Sequence, residues 1–285
     1  MTILEELRVG RFTVTTLLDG HFPAGVDLIT GAGSSEGEAL FVAAGLPPIG
    51  PSHEPINAFA IKRDGEVWLL DVGFGAEFVP GFGGVRSALE ASGHKPADIR
   101  TIVLTHLHPD HIGGLIEQGG RAYPNARLIV PQVELDFWSD PAATAASREP
   151  EANVRLAGEV LRIYESTIIA IDGSAPFAPG LRFWPLPGHT PGHSGVMIED
   201  EGDTLLMWAD TIHSAMLQMP YPHWTVEFDD DPAVAAATRH ELFADLALSG
   251  QRVIGSHIAG CGRIERRGNG YALIGPSLVD EAVEA

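Results

Sequence analysis

The chain has a single cysteine, Cys261, among its 285 residues. That excludes an intrachain disulfide and agrees with a reducing compartment. Basic residues are also scarce: 18 Lys and Arg stand against 38 Asp and Glu, for a formal charge of −20. Such a surface repels phosphate backbones and anionic membranes, so neither nucleic acid nor a membrane is expected as a partner. The one dense basic run is Arg263, Arg266 and Arg267. No stretch approaches the roughly 18 apolar residues needed to cross a bilayer. The opening run Met1-Thr2-Ile3-Leu4-Glu5-Glu6-Leu7-Arg8 has neither a basic segment followed by an apolar one nor a small-residue cleavage site, so a cytoplasmic chain is expected. Repeats, linkers and low-complexity segments are missing too.

What is present is an ordinary globular composition, 45% apolar and 20% charged, long enough for a full core. Strand-like and helix-like segments interleave throughout, which predicts one α/β domain over residues 1–285, built of two sheets with helices outside. Residues 11–18 read as a first strand, followed by a long loop to about Ser52 with a short helix near residues 38–44. Residues 57–62 and 67–71 form a hairpin around Asp64-Gly65. Helices are expected over 85–92, 132–138 and 151–166. Asp231-Pro232 opens another, with Asp231 as N-cap, Pro232 at its first position and Gly250 just past its end. Residues 252–255 and 271–274 are expected to finish the sheet.

The densest chemistry lies at Thr105-His106-Leu107-His108-Pro109-Asp110-His111, directly after the apolar run Thr101-Ile102-Val103-Leu104. The run reads as a buried strand that delivers the cluster at its C-terminal end. His106 and His108, two apart on extended backbone, project to one side. Pro109 turns the chain so that Asp110 and His111 approach from another direction. Imidazole and carboxylate without thiolate suit zinc, and suit iron, manganese or cobalt less decisively. A second His-bearing loop, Pro187-Gly188-His189-Thr190-Pro191-Gly192-His193-Ser194, joins two predicted strands. His193, beside the next strand, is the expected ligand, and His189 is expected to orient the loop by hydrogen bonding. Asp210 ends a nearly all-apolar strand and needs a partner on desolvation grounds. His257 ends another strand in the same fashion.

Taken in order, His106-Leu107-His108-Pro109-Asp110-His111, Gly192-His193, Asp210 and His257 resemble the metallo-β-lactamase-fold hydrolases over nearly the whole chain. The resemblance implies an αββα sandwich of two mixed sheets with outer helices and the metals at one sheet edge. It implies two divalent metal ions, with zinc the first choice. His106, His108 and His193 would hold one ion, Asp110, His111 and His257 the other, and Asp210 would bridge them, while Asp71 supports the metal loop without binding metal. The commonest β-lactamases carry cysteine where this chain has Asp210, and they are exported. The surroundings of Asp210, the helix led by Asp231-Pro232 and the run Gly255-Ser256-His257-Ile258 look most like the branch of lactonases and methyl parathion hydrolase.

Five imidazoles and two carboxylates would leave a pair of divalent cations with net positive charge and open positions. A bridging water then ionises near pH 7 and attacks a carbonyl carbon or phosphorus. Asp110 is the candidate for carrying the proton to the leaving alkoxide. Met216, Met219, Tyr221, Trp224 and Phe228, in the loop after Asp210, are the expected substrate pocket. His213 and His223 are additional imidazoles outside the ligand set. The leading expectation is a small-molecule lactone or simple ester as substrate, hydrolysed by a homodimer. An organophosphate triesterase, a glyoxalase II-like thioesterase, a metal-binding module without turnover and a mononuclear iron oxygenase are the competing readings, and metal stoichiometry with a substrate panel separates them.

Overall fold

Neighbouring residues of the strand Thr101–Val103 belong to different cores: Ile102 packs among helices, whereas Val103 packs against the opposite sheet. The strand Glu66–Leu70 does the same, sending Leu69 one way and Trp68 and Leu70 the other. Side chains alternate across a strand, so a strand covered on both faces must be apolar at every position. That is why these segments read as unbroken apolar runs. The computed structural model describes residues 5–275. The first four residues, part of the stretch read for a leader, lie outside the described residues.

A seven-stranded sheet runs in the order Glu6–Val9, Phe12–Ala24, Ser52–Arg63, Glu66–Leu70, Thr101–Val103, Arg127–Pro131, Ile168–Ile171. Its first four strands pair antiparallel and the rest parallel. A five-stranded sheet comprises Pro176–Ala178, Leu181–Pro185, Ser194–Asp200, Asp203–Met207 and Arg252–Ile254, the last pairing parallel. Phe12, Phe59, Trp68 and Val103 of the first sheet meet Phe183, Val196, Leu205 and Ile254 of the second in one buried cluster. The helices Gly84–Ala91 and Glu151–Tyr164 cover the outer face of the first sheet through Leu89 and Val160. Pro232–Ser249 covers that of the second through Leu242, Phe243 and Leu246. The layers are therefore helix, sheet, sheet, helix, as expected.

Two local expectations change. The first strand of the expected set extends to Ala24 and is preceded by Glu6–Val9, with which it pairs. Residues 271–274 do not finish the sheet. They belong to Gly270–Ile274, which pairs only with Arg263–Arg267 as a separate hairpin, because Tyr271 and Ile264 pack against the outer helix instead. The Asp231 cap holds: its carboxylate accepts from Ala233 N and Val234 N, and Gly250 closes the helix at φ 64°. Among the described residues, no helix is long and apolar enough to cross a membrane.

Candidate metal centre

The parallel strands end on one edge, and their exits bring His106, His108, Asp110 and His111 together with Asp210 and His257. One donor atom from each of Asp110, His111, Asp210 and His257 lies within 4.8 Å of the others, and a second such group is His106, His108 and His189. All are buried except Asp110, which is half-buried. Asp210 stands between the groups, with Oδ1 3.2 Å from His111 Nε2 and Oδ2 2.9 Å from His257 Nε2 and 3.5 Å from His189 Nε2.

Each imidazole has one nitrogen tied outward. His111 Nδ1 is 2.8 Å from Asp71 Oδ2, His189 Nδ1 is 2.9 Å from Asp229 Oδ1, and His108 Nε2 is 2.7 Å from Glu149 Oε1. His257 Nδ1 donates to Pro55 O at 2.9 Å, and His106 Nδ1 lies 3.0 Å from Thr105 Oγ1. Such outer partners fix tautomer and ring orientation, leaving the other nitrogen aimed at the centre. Among the described residues seven buried side-chain atoms lack a hydrogen-bond partner, and three face one another here: His106 Nε2, His111 Nε2 and Asp210 Oδ1. Buried polar atoms are ordinarily paired, so orphans gathered at one point fit a cation that the donors surround.

The electrostatics agree. Burial raises the Asp210 carboxyl, but His111, His257 and His106 around it prevail and hold it well below the usual range. Burial likewise opposes a proton on His189, yet Asp210 and Asp229 raise it to about 10. Carboxylates that favour a proton at this spot favour any cation there.

The second loop corrects the ligand expected from it. His193 Nδ1 donates to Leu186 O at 2.7 Å and its Nε2 accepts from Asp210 N at 3.0 Å, so both nitrogens are spent. Burial holds this imidazole neutral, down to about 3. His189, in place of the expected His193, is the residue whose donor atom is grouped with those of His106 and His108. Sequence spacing places both at the same loop and gives no signal for which one turns inward.

Three further carboxylates were not legible. Glu134, fully buried, accepts from Leu107 N at 2.9 Å and Trp138 Nε1 at 2.6 Å through Oε1, and from Thr190 Oγ1 at 2.6 Å and Gly192 N at 3.1 Å through Oε2. It joins the two His-bearing loops. A Cβ at Gly192 would collide with the backbone of Glu134, so only glycine permits this approach. Glu149 and Asp229 hold His108 and His189 as described. The expected Asp71 support is present: besides His111 it accepts Thr105 N and Oγ1, from backbone held at φ 57°. A left-handed non-glycine residue is strained, and such strain gathers at functional sites. Ala209, at φ 49° just before Asp210, is a second case.

A cavity of about 360 Å³ opens on the cluster, bordered by His108, Asp110, His189, Asp210, His213 and His257, with Phe22, Leu28, Ile56, Phe74 and Phe228 among its apolar walls. Of the residues expected there, Phe228 is on the wall. Met216, Tyr221 and Trp224 pack instead in a cluster with Phe41 and Leu217, and Met219 packs against the outer helix. The reason is Arg239. Buried in that helix, it donates to Thr211 O, Pro222 O and Trp224 O at 2.6, 2.8 and 2.7 Å, drawing the loop inward as core. The N-terminal loop supplies the missing walls through a bridge between Ile29 and Val226 and the bond from Glu227 N to Leu28 O at 3.0 Å. His213, 3% exposed, stacks on His257 at 4.7 Å between centroids and borders the same cavity.

The family model of the Metallo-beta-lactamase superfamily matches residues 52–257. An N-acyl homoserine lactonase of Bacillus sp is 32% identical over 113 residues, covering 40% of this chain and 38% of that protein. The chain spans about two fifths of the length of the curated lactonases it matches. The uncharacterized protein YobT of Bacillus subtilis is 24% identical over 217 residues, covering 76% of this chain and 87% of that one. Among solved structures, AidC, a dizinc quorum-quenching lactonase in complex with a product, aligns at TM-score 0.86 and 25% identity over 96% of this chain and 98% of its own. The hydrolase AbOPH aligns at TM-score 0.89 and 27% identity over 98% and 99%.

Proposed function

This chain belongs to the metallo-beta-lactamase superfamily, and from that premise we propose that it is a dinuclear metal-dependent hydrolase that opens a lactone or cleaves a simple carboxylic ester. The observation that carries the reading is the set of buried, unpaired donor atoms at His106, His111 and Asp210, inside rings whose outer nitrogens are already tied. In this reading His106, His108 and His189 would hold one ion and Asp110, His111 and His257 the other, with Asp210 within reach of both groups. Zinc suits these nitrogen and oxygen donors, and a dizinc neighbour of similar fold supports that choice.

Bound divalent ions supply Lewis acidity and bring a coordinated water to a pKa near 7. The protein does the rest. Phe22, Leu28, Ile56 and Phe74 take up the apolar body of the substrate and exclude water from the reacting end. Asp110 borders the cavity with its carboxylate 3.4 Å from His111 Nε2, and there it would take the proton given up by the attacking water and return it to the departing alkoxide. His213, on the same wall beside Asp210, offers its imidazole to a substrate oxygen. A phosphotriester has the same neutral, apolar character and is the second reading, favoured by the aromatic walls.

The test is elemental analysis of protein purified without chelator, together with proton release on lactones, aryl esters, thioesters and phosphotriesters. Two ions per chain with preferential lactone or ester turnover supports the proposal. Faster phosphotriester turnover moves it to the second reading, and one ion without proton release overturns hydrolysis.

A further inference from the structure

The reacting end of the cavity is rich in metal-binding groups, but its rim has a different character. Asp27 and Glu227 both border the cavity, both are exposed, and among the described residues neither makes an ion pair or a side-chain hydrogen bond. They sit on two segments clamped together by the Ile29–Val226 bridge and by Glu227 N on Leu28 O, so the two carboxylates share one stretch of rim. No Lys or Arg borders the cavity. Beside the acids stand the rings of Phe22, Phe74 and Phe228, the last 48% exposed. Aromatic faces and free carboxylates together attract an ammonium group and repel an anion.

Resting on the hydrolase reading above, we infer that this site selects its substrates by the charge at the far end of the acyl chain, preferring a cation over a neutral group and a neutral group over an anion. The reacting carbonyl goes to the metal cluster, where an added cation would be repelled. The charge is therefore read only when the chain is long enough to carry it to the rim. The rule disfavours esters whose acyl chain ends in a carboxylate, and it admits those whose acyl chain ends in an amine alongside plain acyl ones.

The experiment uses phenyl esters of matched acyl chains ending in a trimethylammonium group, its uncharged tert-butyl isostere, or a carboxylate, over a range of chain lengths, with the zinc-loaded protein. The expected result is a kcat/KM ratio of cation to isostere of about 5 at low salt at the best length. The ratio falls toward 1 at high salt, where the screening length shortens to about 3 Å at 1 M. It also falls toward 1 in the Asp27→Asn/Glu227→Gln double variant. A ratio at or below 1 in the parent protein, or one unchanged by the double variant, overturns the inference while leaving ester hydrolysis intact. If none of these esters is turned over, the simple-ester half of the hydrolase reading fails on its own, and lactone turnover still decides the other half. Calorimetric binding of the three corresponding carboxamides then decides the charge rule, with the same order expected and equal affinities overturning it.

Discussion

The carboxylate of Glu134 accepts the hydroxyl of Thr190 at 2.6 Å, so a helix that contributes no donor to the metal cluster grips the loop that carries His189. Its other oxygen holds Leu107 N at 2.9 Å, between His106 and His108. One buried anion thus fixes the spacing of two loops that are about 80 residues apart in sequence, and four donors satisfy it.

Glu134→Gln turns an amide N–H₂ toward N–H groups that can only donate, Leu107 N and Trp138 Nε1 on one side or Gly192 N on the other. An unsatisfied buried donor costs about 1–3 kcal/mol, so the urea midpoint is expected to fall at unchanged slope. Burial already raises the Glu134 carboxyl pKa, yet the donors around it leave little to be gained by neutralising it. A midpoint equal to that of the parent would refute this account of the staple.

His189→Ala and His193→Ala are expected to part company. Losing His189 removes a donor from the group with His106 and His108, and elemental analysis after dialysis should read closer to one ion per chain than two. Losing His193 strands Asp210 N and Leu186 O, a cost of about 1–3 kcal/mol in thermal unfolding, while both ions are retained. The opposite pattern would restore His193 as the ligand.

Asp71→Asn weakens the hold on His111 Nδ1 without touching a donor that faces the cluster. Outer partners of this kind are worth roughly 10–100-fold in metal affinity. Competition with a chromogenic chelator should show that loss for one of the two ions, and affinities unchanged from the parent protein would contradict it.

Far from the site, Arg11 donates to Asp200 through its backbone N, Nε and Nη2, and these bonds hold the Asp200 carboxyl down to about 2. A depressed carboxylate contributes stability that is complete above its unfolded pKa near 3.8 and is lost as pH falls toward 2. Asp200→Asn is therefore expected to lower the thermal midpoint at pH 7, and the gap to the parent protein should narrow between about pH 4 and pH 2. A gap that is constant with pH would mean that the carboxylate charge plays no part.

Much of the fold could be read in advance because its signals are local. The Asp231 cap, the Asp64-Gly65 turn and the strand before His106 each announce themselves within a few residues. The cluster from His106 to His111 did so too. What could not be read depends on distant partners. Glu134, Glu149 and Asp229 look like ordinary helix and loop acids until the fold brings them to Gly192, His108 and His189. The loop from Met216 to Trp224 has the composition of a pocket, and only the buried Arg239 reveals that it is core. His189 and His193 differ in nothing but the direction of a turn.

The bridge between Ile29 and Val226 leads into three consecutive residues with divided duties: Glu227 and Phe228 border the cavity, and Asp229 turns away to hold His189. The wall proposed to read the substrate and the carboxylate that orients His189 are thus neighbours on one thread, separated by a single peptide unit. Substitutions at 227 and 228 would change the cavity wall and leave the bond from Asp229 to His189 in place. An insertion or deletion of one residue there would slip the whole thread and carry Asp229 off His189, so this edge of the cavity should tolerate a change of side chain better than a change of loop length.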